Sequence, residues 1–443
     1  MQRGLILLTL IVLPPVHAVD FAKDIQPLLK NKCSRCHSED KHKGGFSIDS
    51  RESILKGSET GPVAVVGKGA KSLLIKRLTS SDPEKRMPAK GKPLTPEQIN
   101  LLRTWIDQGL TWAEGIRAPM VPRQVELPPG DPTENPIDRL VRAYWNRHKV
   151  QVEIKPLDDR TFARRTWLDL VGMLPPVKEM EAFVHDRAPD KRARLVDRLL
   201  SDKSAYAVHW MTFWSDMLRN AYQGTGYIDG GRKQITQWLY DALHSNMPYD
   251  QFVRELINPV KGSAGFINGI KWRGRVNATQ RREMQAAQNV GQIFLGTNIK
   301  CASCHDSFIN HWRITDTWGL ASIFADQPLE IFGCGKATGK RALPAFLYPE
   351  LGDIDPKSPR AERVTALAHI ITDPKNGRLT RTMVNRFWAA LMGRGIVESV
   401  DDMDQAPWNA DLLDWLAADL AEHGYDLKRT LRLICTSRTY QMR

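Results

Sequence analysis

Apolar positions along this chain recur with the period of an α-helix wherever they form a pattern. Phe21, Ile25, Leu28 and Leu29 fall on one helical face. Farther on, Thr95-Pro96-Glu97-Gln98 offers an N-cap, a proline at the first helical position and a capping-box partner. Ile99, Leu102, Trp105 and Ile106 then share a face, and Gly109 can close the helix. Apolar stripes follow over residues 137–145, 162–171, 194–200, 235–243 and 284–295, and residues 206–222 are dense in aromatic side chains, among them Trp210, Phe213 and Trp214. Leu379, Met383, Val384, Phe387 and Leu391 form a further face ended by Gly393, and residues 412–420 and 427–434 repeat the pattern. Strand-like alternation is weak throughout, and no repeat of fixed period is present. The pattern predicts a mainly α protein.

The same pattern divides the chain. Met1-Gln2-Arg3 precedes an apolar run over residues 5–13, and Val16-His17-Ala18 has the small residues of a cleavage site. Residues 1–18 therefore read as a signal peptide, and the protein is expected to be exported, to the periplasm or the cell surface. His17 leaves with that peptide. No later run reaches about 18 apolar residues, so no transmembrane segment is expected after signal removal. Residues 19–112 form a first block that starts and ends with an amphipathic helix. Its middle is rich in Gly, Lys and Ser, with so few apolar residues that a staple is expected. Pro119, Pro122, Pro128, Pro129 and Pro132 mark residues 113–135 as a semi-rigid linker. A helical block at 136–333, an irregular connector at 334–359 and a last helical block at 360–443 complete the chain.

The net charge of +13 over 443 residues is spread along the chain. It suits an acidic protein partner, an acidic glycan or an anionic membrane surface. No zinc-finger spacing or other nucleic-acid motif accompanies it, so nucleic acid is not an expected partner. There is no Gly-x-Ser-x-Gly elbow, Walker loop or dinucleotide fingerprint. The glycines of residues 224–231 read as a turn, and Asp401-Asp402-Met403-Asp404 lacks calcium-loop spacing.

Six cysteines carry the chemistry. Four lie in Cys33-Ser34-Arg35-Cys36-His37 and Cys301-Ala302-Ser303-Cys304-His305. In a CxxCH motif two thiols reach the vinyl groups on one edge of a haem, and the adjacent histidine becomes the proximal iron ligand. Chance alone predicts about 0.002 such motifs in a chain of this composition. Zinc is the competing chemistry, with His42 or His311 as an extra ligand. A histidine abutting the second cysteine, the recurrence of the same form and the signal peptide all favour haem c. No thioredoxin-like βαβ pattern supports a thiol redox role. The first motif predicts covalent haem, and the second predicts another.

Met87, in Arg86-Met87-Pro88, is the expected sixth ligand of the first iron. His42 competes, but it would have to reach the opposite ring face only five residues after His37. For the second iron, His209 on its apolar helix is a candidate ligand, His311 a weaker one, and an open position stands equally beside them. Lys30, Lys32, Lys41, Lys43, Lys85, Lys90 and Lys92 surround the first motif and either steer an acidic redox partner or form a solvated face. Cys334 and Cys435 stand apart, and sequence does not show whether they approach closely enough to pair.

The motifs carry a resemblance. Cys33-Ser34-Arg35-Cys36-His37, Lys43-Gly44-Gly45-Phe46, Arg86-Met87-Pro88 and Trp105-Ile106-Asp107-Gln108-Gly109 resemble the planctomycete-type cytochrome c domain. Residues 165–175, His209-Trp210 and the run 294–306 are similar to the domain of unknown function that usually follows it. Residues 376–381, 385–388 and 392–397 are similar to its companion C-terminal domain. The resemblance implies a small class-I-like cytochrome c domain followed by a larger multi-helix region. It also implies a haem protein of the periplasm or cell surface, often near carbohydrate- or sulfate-processing enzymes. Two departures stand out. His305-Asp306-Ser307-Phe308 replaces the His-Asp-His-Pro of many relatives, and relatives of the last domain often continue past the point matching Arg443, which suggests a short or incomplete copy. The leading expectation is periplasmic electron transfer by a dihaem protein. The alternatives are a dihaem oxidoreductase (a peroxidase or sugar-dehydrogenase subunit) working at the second motif, and a glycan- or partner-binding module with an accessory haem.

Overall fold

A computed structural model describes residues 19, 21–37, 43–48, 51–111, 120–151, 153, 155–220, 235–271, 276–307, 309–334 and 336–442. Residues 1–18, His42, Lys41, the 224–231 glycines and Phe308 lie outside the described residues, as does the first part of the proline-rich stretch. The protein is mainly α, and the sheet among the described residues has two strands. The chain divides into two compact units, residues 1–114 with 308–311 and residues 115–307 with 312–443.

In the first unit, the turn Phe21–Ile25 runs into helix Gln26–Lys32, and helix Pro96–Asp107 packs against it. The ring of Phe21 lies 5.8 Å from that of Trp105. The capping box forms as expected: Thr95 Oγ1 accepts from the Gln98 N–H at 3.3 Å, and Gln98 Oε1 accepts from the Thr95 N–H at 3.1 Å. The middle of the block contributes more core than its composition suggests. Two short helices, Arg51–Lys56 and Leu73–Leu78, bury Ile54, Ile75 and Leu78, and Val63, Ala64 and Leu94 join them. Each helix is under two turns long, too brief for periodicity to reveal.

In the second unit one apolar core runs from Ile137 to Tyr440. Its aromatic centre is helix Lys203–Met217, where the Trp210 ring meets Phe387 edge-on at 5.0 Å and Trp214 lies 4.6 Å from Phe252. From Met120 onward the proline-rich stretch lies along the C-terminal helices. Met120 O accepts from the Gly377 N–H at 2.8 Å, and Arg123 pairs with Asp414 at 2.6 Å. A Cβ on Gly377 would stand 2.4 Å from Met120 O, so only glycine lets the two backbones approach this closely. Strands Glu330–Gly333 and Lys336–Arg341 pair antiparallel. Every residue of the second strand is exposed, which is why no apolar alternation marks it in the sequence.

Helix Gly377–Met392 is buried along nearly its whole length, arginines included. Arg378, Arg381 and Arg386 are 3%, 2% and 5% exposed. Arg378 donates to Asp404 at 2.7 Å, to Leu295 O at 2.9 Å, to Gly296 O at 3.3 Å and to Thr297 Oγ1 at 3.1 Å. Arg386 donates to Ile293 O, to Gln292 O at 2.7 Å and to Asp401 at 2.9 Å. Helix Arg282–Leu295 thus has its terminal carbonyls satisfied by guanidinium groups from another helix. Gly296 ends it at φ 55°, with Met403 N–H donating to Gly296 O at 2.8 Å.

The chain then returns to where the unit began. Asp138, on helix Pro136–His148, accepts from the N–H groups of Arg438 and Thr439, both at 2.8 Å. The Tyr440 hydroxyl donates to Asp169 at 2.7 Å, and the Leu157 N–H donates to Gln441 O at 2.8 Å.

Two variants measure these constraints. Replacing one member of a buried ion pair strands the other, so Arg378→Met should cost about 3–5 kcal/mol in urea unfolding of the full chain. Adding Asp404→Leu should recover part of that loss, which an additive result would contradict. Gly296→Ala should cost about 1–3 kcal/mol by overpacking, because its Cβ would sit 2.3 Å from Met403 Cγ. A thermal unfolding midpoint equal to that of the parent protein would refute the second expectation.

Candidate cofactor-binding motifs

Helix Gln26–Lys32 stops at Cys33, whose N–H donates to Leu29 O at 2.8 Å, and the single turn Ser34–His37 follows directly. Cys36 and His37 N–H groups donate to Cys33 O at 3.2 and 3.1 Å. Both thiols and the imidazole therefore project from one hydrogen-bonded turn, and all three side chains are half-buried. Burial, and then the charge of Cys36, pushes the Cys33 thiol up to about 11.

The chain downstream closes over the histidine. Gly44 and Gly45 adopt φ 68° and 69°, and a Cβ on Gly45 would lie 2.9 Å from Glu59 Cγ. This turn delivers Phe46 to the imidazole, with ring centroids 5.1 Å apart, and the Ile48 N–H donates to His37 O at 2.9 Å. His37 Nδ1 lies 3.4 Å from Phe46 O. A proton on Nδ1, aimed at that carbonyl, puts the lone pair on Nε2, the tautomer an iron ligand needs. Met87 belongs to the loop after helix Leu73–Leu78, where its N–H donates to Arg77 O at 2.9 Å. Its half-buried side chain packs on the same apolar core as Cys33.

The second motif is built differently. In the turn Cys301–Ser303 the two intervening residues point inward. Ala302 and Ser303 are buried, Ser303 Oγ accepts from Gln288 at 2.5 Å, and Ser303 O accepts from Trp318 Nε1 at 3.1 Å. Cys301, Cys304 and His305 flank them half-buried. His305 Nδ1 lies 2.8 Å from Asp306 O, so here too a proton on Nδ1 leaves the lone pair on Nε2. Asp306 Oδ1 accepts from the Ile314 N–H at 2.9 Å, at the start of helix Ile314–Ile323. The Cys304 thiol is pushed up by burial, then by Cys334 and Cys301.

His209 is placed against helix Asp159–Val171. Its Nε2 lies 3.1 Å from Asp169 O, and burial lowers its pKa. The ring also stands over Gly172, where a Cβ would lie 2.3 Å from Nδ1. Its hydrogen bond and its packing are thus with that helix, whereas Gln288, Trp318 and Cys334 surround the second motif. None of the six cysteines is in a disulfide; Cys435 is fully buried, and Cys334 is exposed.

The donor set fits a covalently attached haem: two thiols and an Nδ1-tethered imidazole on one turn, with an apolar core beside them in the first unit. Among the described residues no three His, Cys, Asp or Glu side chains converge as a bare metal ion would require. Sequence reasoning missed Phe46 as the partner of His37, although the Lys43-Gly44-Gly45-Phe46 stretch was the available signal. It also missed Gln288, Trp318 and Cys334 around the second motif, and nothing in their spacing points to it.

Comparison with known families follows the same order along the chain. Residues 33–91 match the family Planctomycete cytochrome C, a span that includes both His37 and Met87. Residues 136–328 match a protein of unknown function (DUF1549), and residues 363–443 match another (DUF1553). No curated protein and no solved structure matches the chain. No helix among the described residues is long and apolar enough to cross a membrane. The chain thus carries, in order, a segment that matches Planctomycete cytochrome C and suggests a cytochrome-like, haem-binding protein, then the DUF1549 and DUF1553 segments.

Proposed function

We propose that the protein is an exported, dihaem electron-transfer protein. The observation that carries the reading is the first motif: Cys33, Cys36 and His37 share one turn, and His37 Nδ1 faces the Phe46 carbonyl at 3.4 Å. Cys33 and Cys36 would hold the haem by thioethers, with His37 Nε2 and Met87 as the residues that would bind its iron. Bound haem contributes a one-electron centre whose potential a thioether ligand raises. The Phe46 carbonyl would hold the His37 ring orientation. Lys43, Lys85, Lys90 and Lys92 are exposed and favour an acidic redox partner, Lys85 less so because it pairs with Asp82 at 2.9 Å.

Cys301, Cys304 and His305 hold a second haem in this reading. A second reading, a dihaem oxidoreductase, is favoured by one observation. The ring of His209 hydrogen-bonds the Asp169 carbonyl, which favours an open sixth position at a second haem. An open position suits peroxide or another small ligand. Cyanide or peroxide binding by a high-spin second haem selects that reading, and two low-spin haems select electron transfer.

Pyridine haemochrome of protein made with c-type maturation should give two haems per chain, falling to one in Cys301→Ala with Cys304→Ala. One haem in the parent protein removes the second site. Met87→Ala should convert the first haem from low to high spin and lower its midpoint potential, with the second haem unchanged. An unaltered spectrum and potential would remove Met87 from the iron.

A further inference from the structure

Cys334 lies far along the chain from Cys304, yet its N–H donates to Cys304 O at 3.0 Å. Its Sγ lies 3.8 Å from the same oxygen. Standard bond lengths and angles through one such contact hold the two Cα atoms within about 6.5 Å. A disulfide spans Cα separations of about 4.4–6.8 Å. Pairing of Gly333 with Lys336 puts Cys334 at the head of the hairpin turn, where it adopts φ 47°. Glycine or asparagine meets that turn more easily, and a residue with a bulkier side chain stores about 1–2 kcal/mol there. The thiol is what cysteine adds at this position.

We propose that Cys334 is the disulfide partner of Cys304, which makes the second motif a three-thiol redox site. The Cys304–Cys334 bond belongs to the chain whose second motif carries no haem, because it occupies the sulfur that a thioether needs. The oxidant is an external disulfide, a small-molecule or a protein one. Cys334 is exposed and Cys304 half-buried, so Cys334 reacts first. Its thiolate attacks one sulfur of the external disulfide, giving a mixed disulfide and one released thiol. The Cys304 thiolate then attacks the Cys334 sulfur, forming the Cys304–Cys334 bond and releasing the second thiol. Two electrons pass from the protein thiols to the external disulfide, and the two thiol protons end on the released thiols.

The test uses the full chain expressed without haem attachment, with folding verified by helical circular dichroism and cooperative unfolding. It is equilibrated in reduced and oxidised glutathione, alkylated, and digested with trypsin without reduction. Cleavage after Lys300, Arg313 and Lys336 separates peptide 301–313 from peptide 314–336. The expected product is these two peptides joined, with the link lost in Cys304→Ser and kept in Cys301→Ser. The proposal is overturned by a Cys301–Cys304 disulfide with alkylated Cys334, by a link that survives Cys304→Ser, or by alkylated thiols throughout. Haem counting on the matured protein answers the second-haem question separately, so either idea can fail alone.

Discussion

The second unit depends on arginines buried where a helix runs out of hydrogen bonds. Helix Arg282–Leu295 ends inside the protein, and its last carbonyls face no solvent. Left unpaired, each would cost about 1–3 kcal/mol. Arg378 and Arg386 cover them, and Asp404 and Asp401 balance the charge. A planar guanidinium with several donors is suited to this, since one side chain serves two carbonyls and a carboxylate together. The arrangement joins the DUF1553 helix Gly377–Met392 to the segment that leads into Cys301. The two segments of unknown function are thus physically one body, with a common apolar core.

The first unit solves a smaller problem in another way. Its histidine is oriented by a carbonyl and an aromatic ring, both brought there by two glycines in left-handed conformations. Residues between the outer helices supply more core than their composition implies, through helices of six residues each. Haem would therefore join a core that already includes Ile54, Ile75 and Leu78, and need not create one.

Much of this was legible in the sequence. Long amphipathic helices show their period, and Thr95 to Gln98 announced a cap that the structure forms. The CxxCH motifs identified themselves because their chemistry is local: five consecutive residues hold every attachment atom. What was not legible is long-range. Phe46 is nine residues from His37, and Cys334 is thirty from Cys304. The arginines of helix Gly377–Met392 read as ordinary polar positions on an amphipathic helix. Only the fold reveals that their partners are main-chain carbonyls more than eighty residues upstream. The hairpin at Cys334 escaped because its outer strand is wholly exposed and carries no alternation.

Asp138 receives its hydrogen bonds from residues 300 and 301 positions later. That places these closing contacts some 300 residues after the helix they close on. Until Arg438 and Thr439 are available, the carboxylate has no native partners, and neither Asp169 nor the Leu157 amide has the one it takes from residues 440 and 441. Contacts of such sequence separation carry the loop-closure entropy of nearly the entire unit, so they form late and slowly. A chain that emerges gradually would leave these contacts unmade until residues 438–441 have appeared.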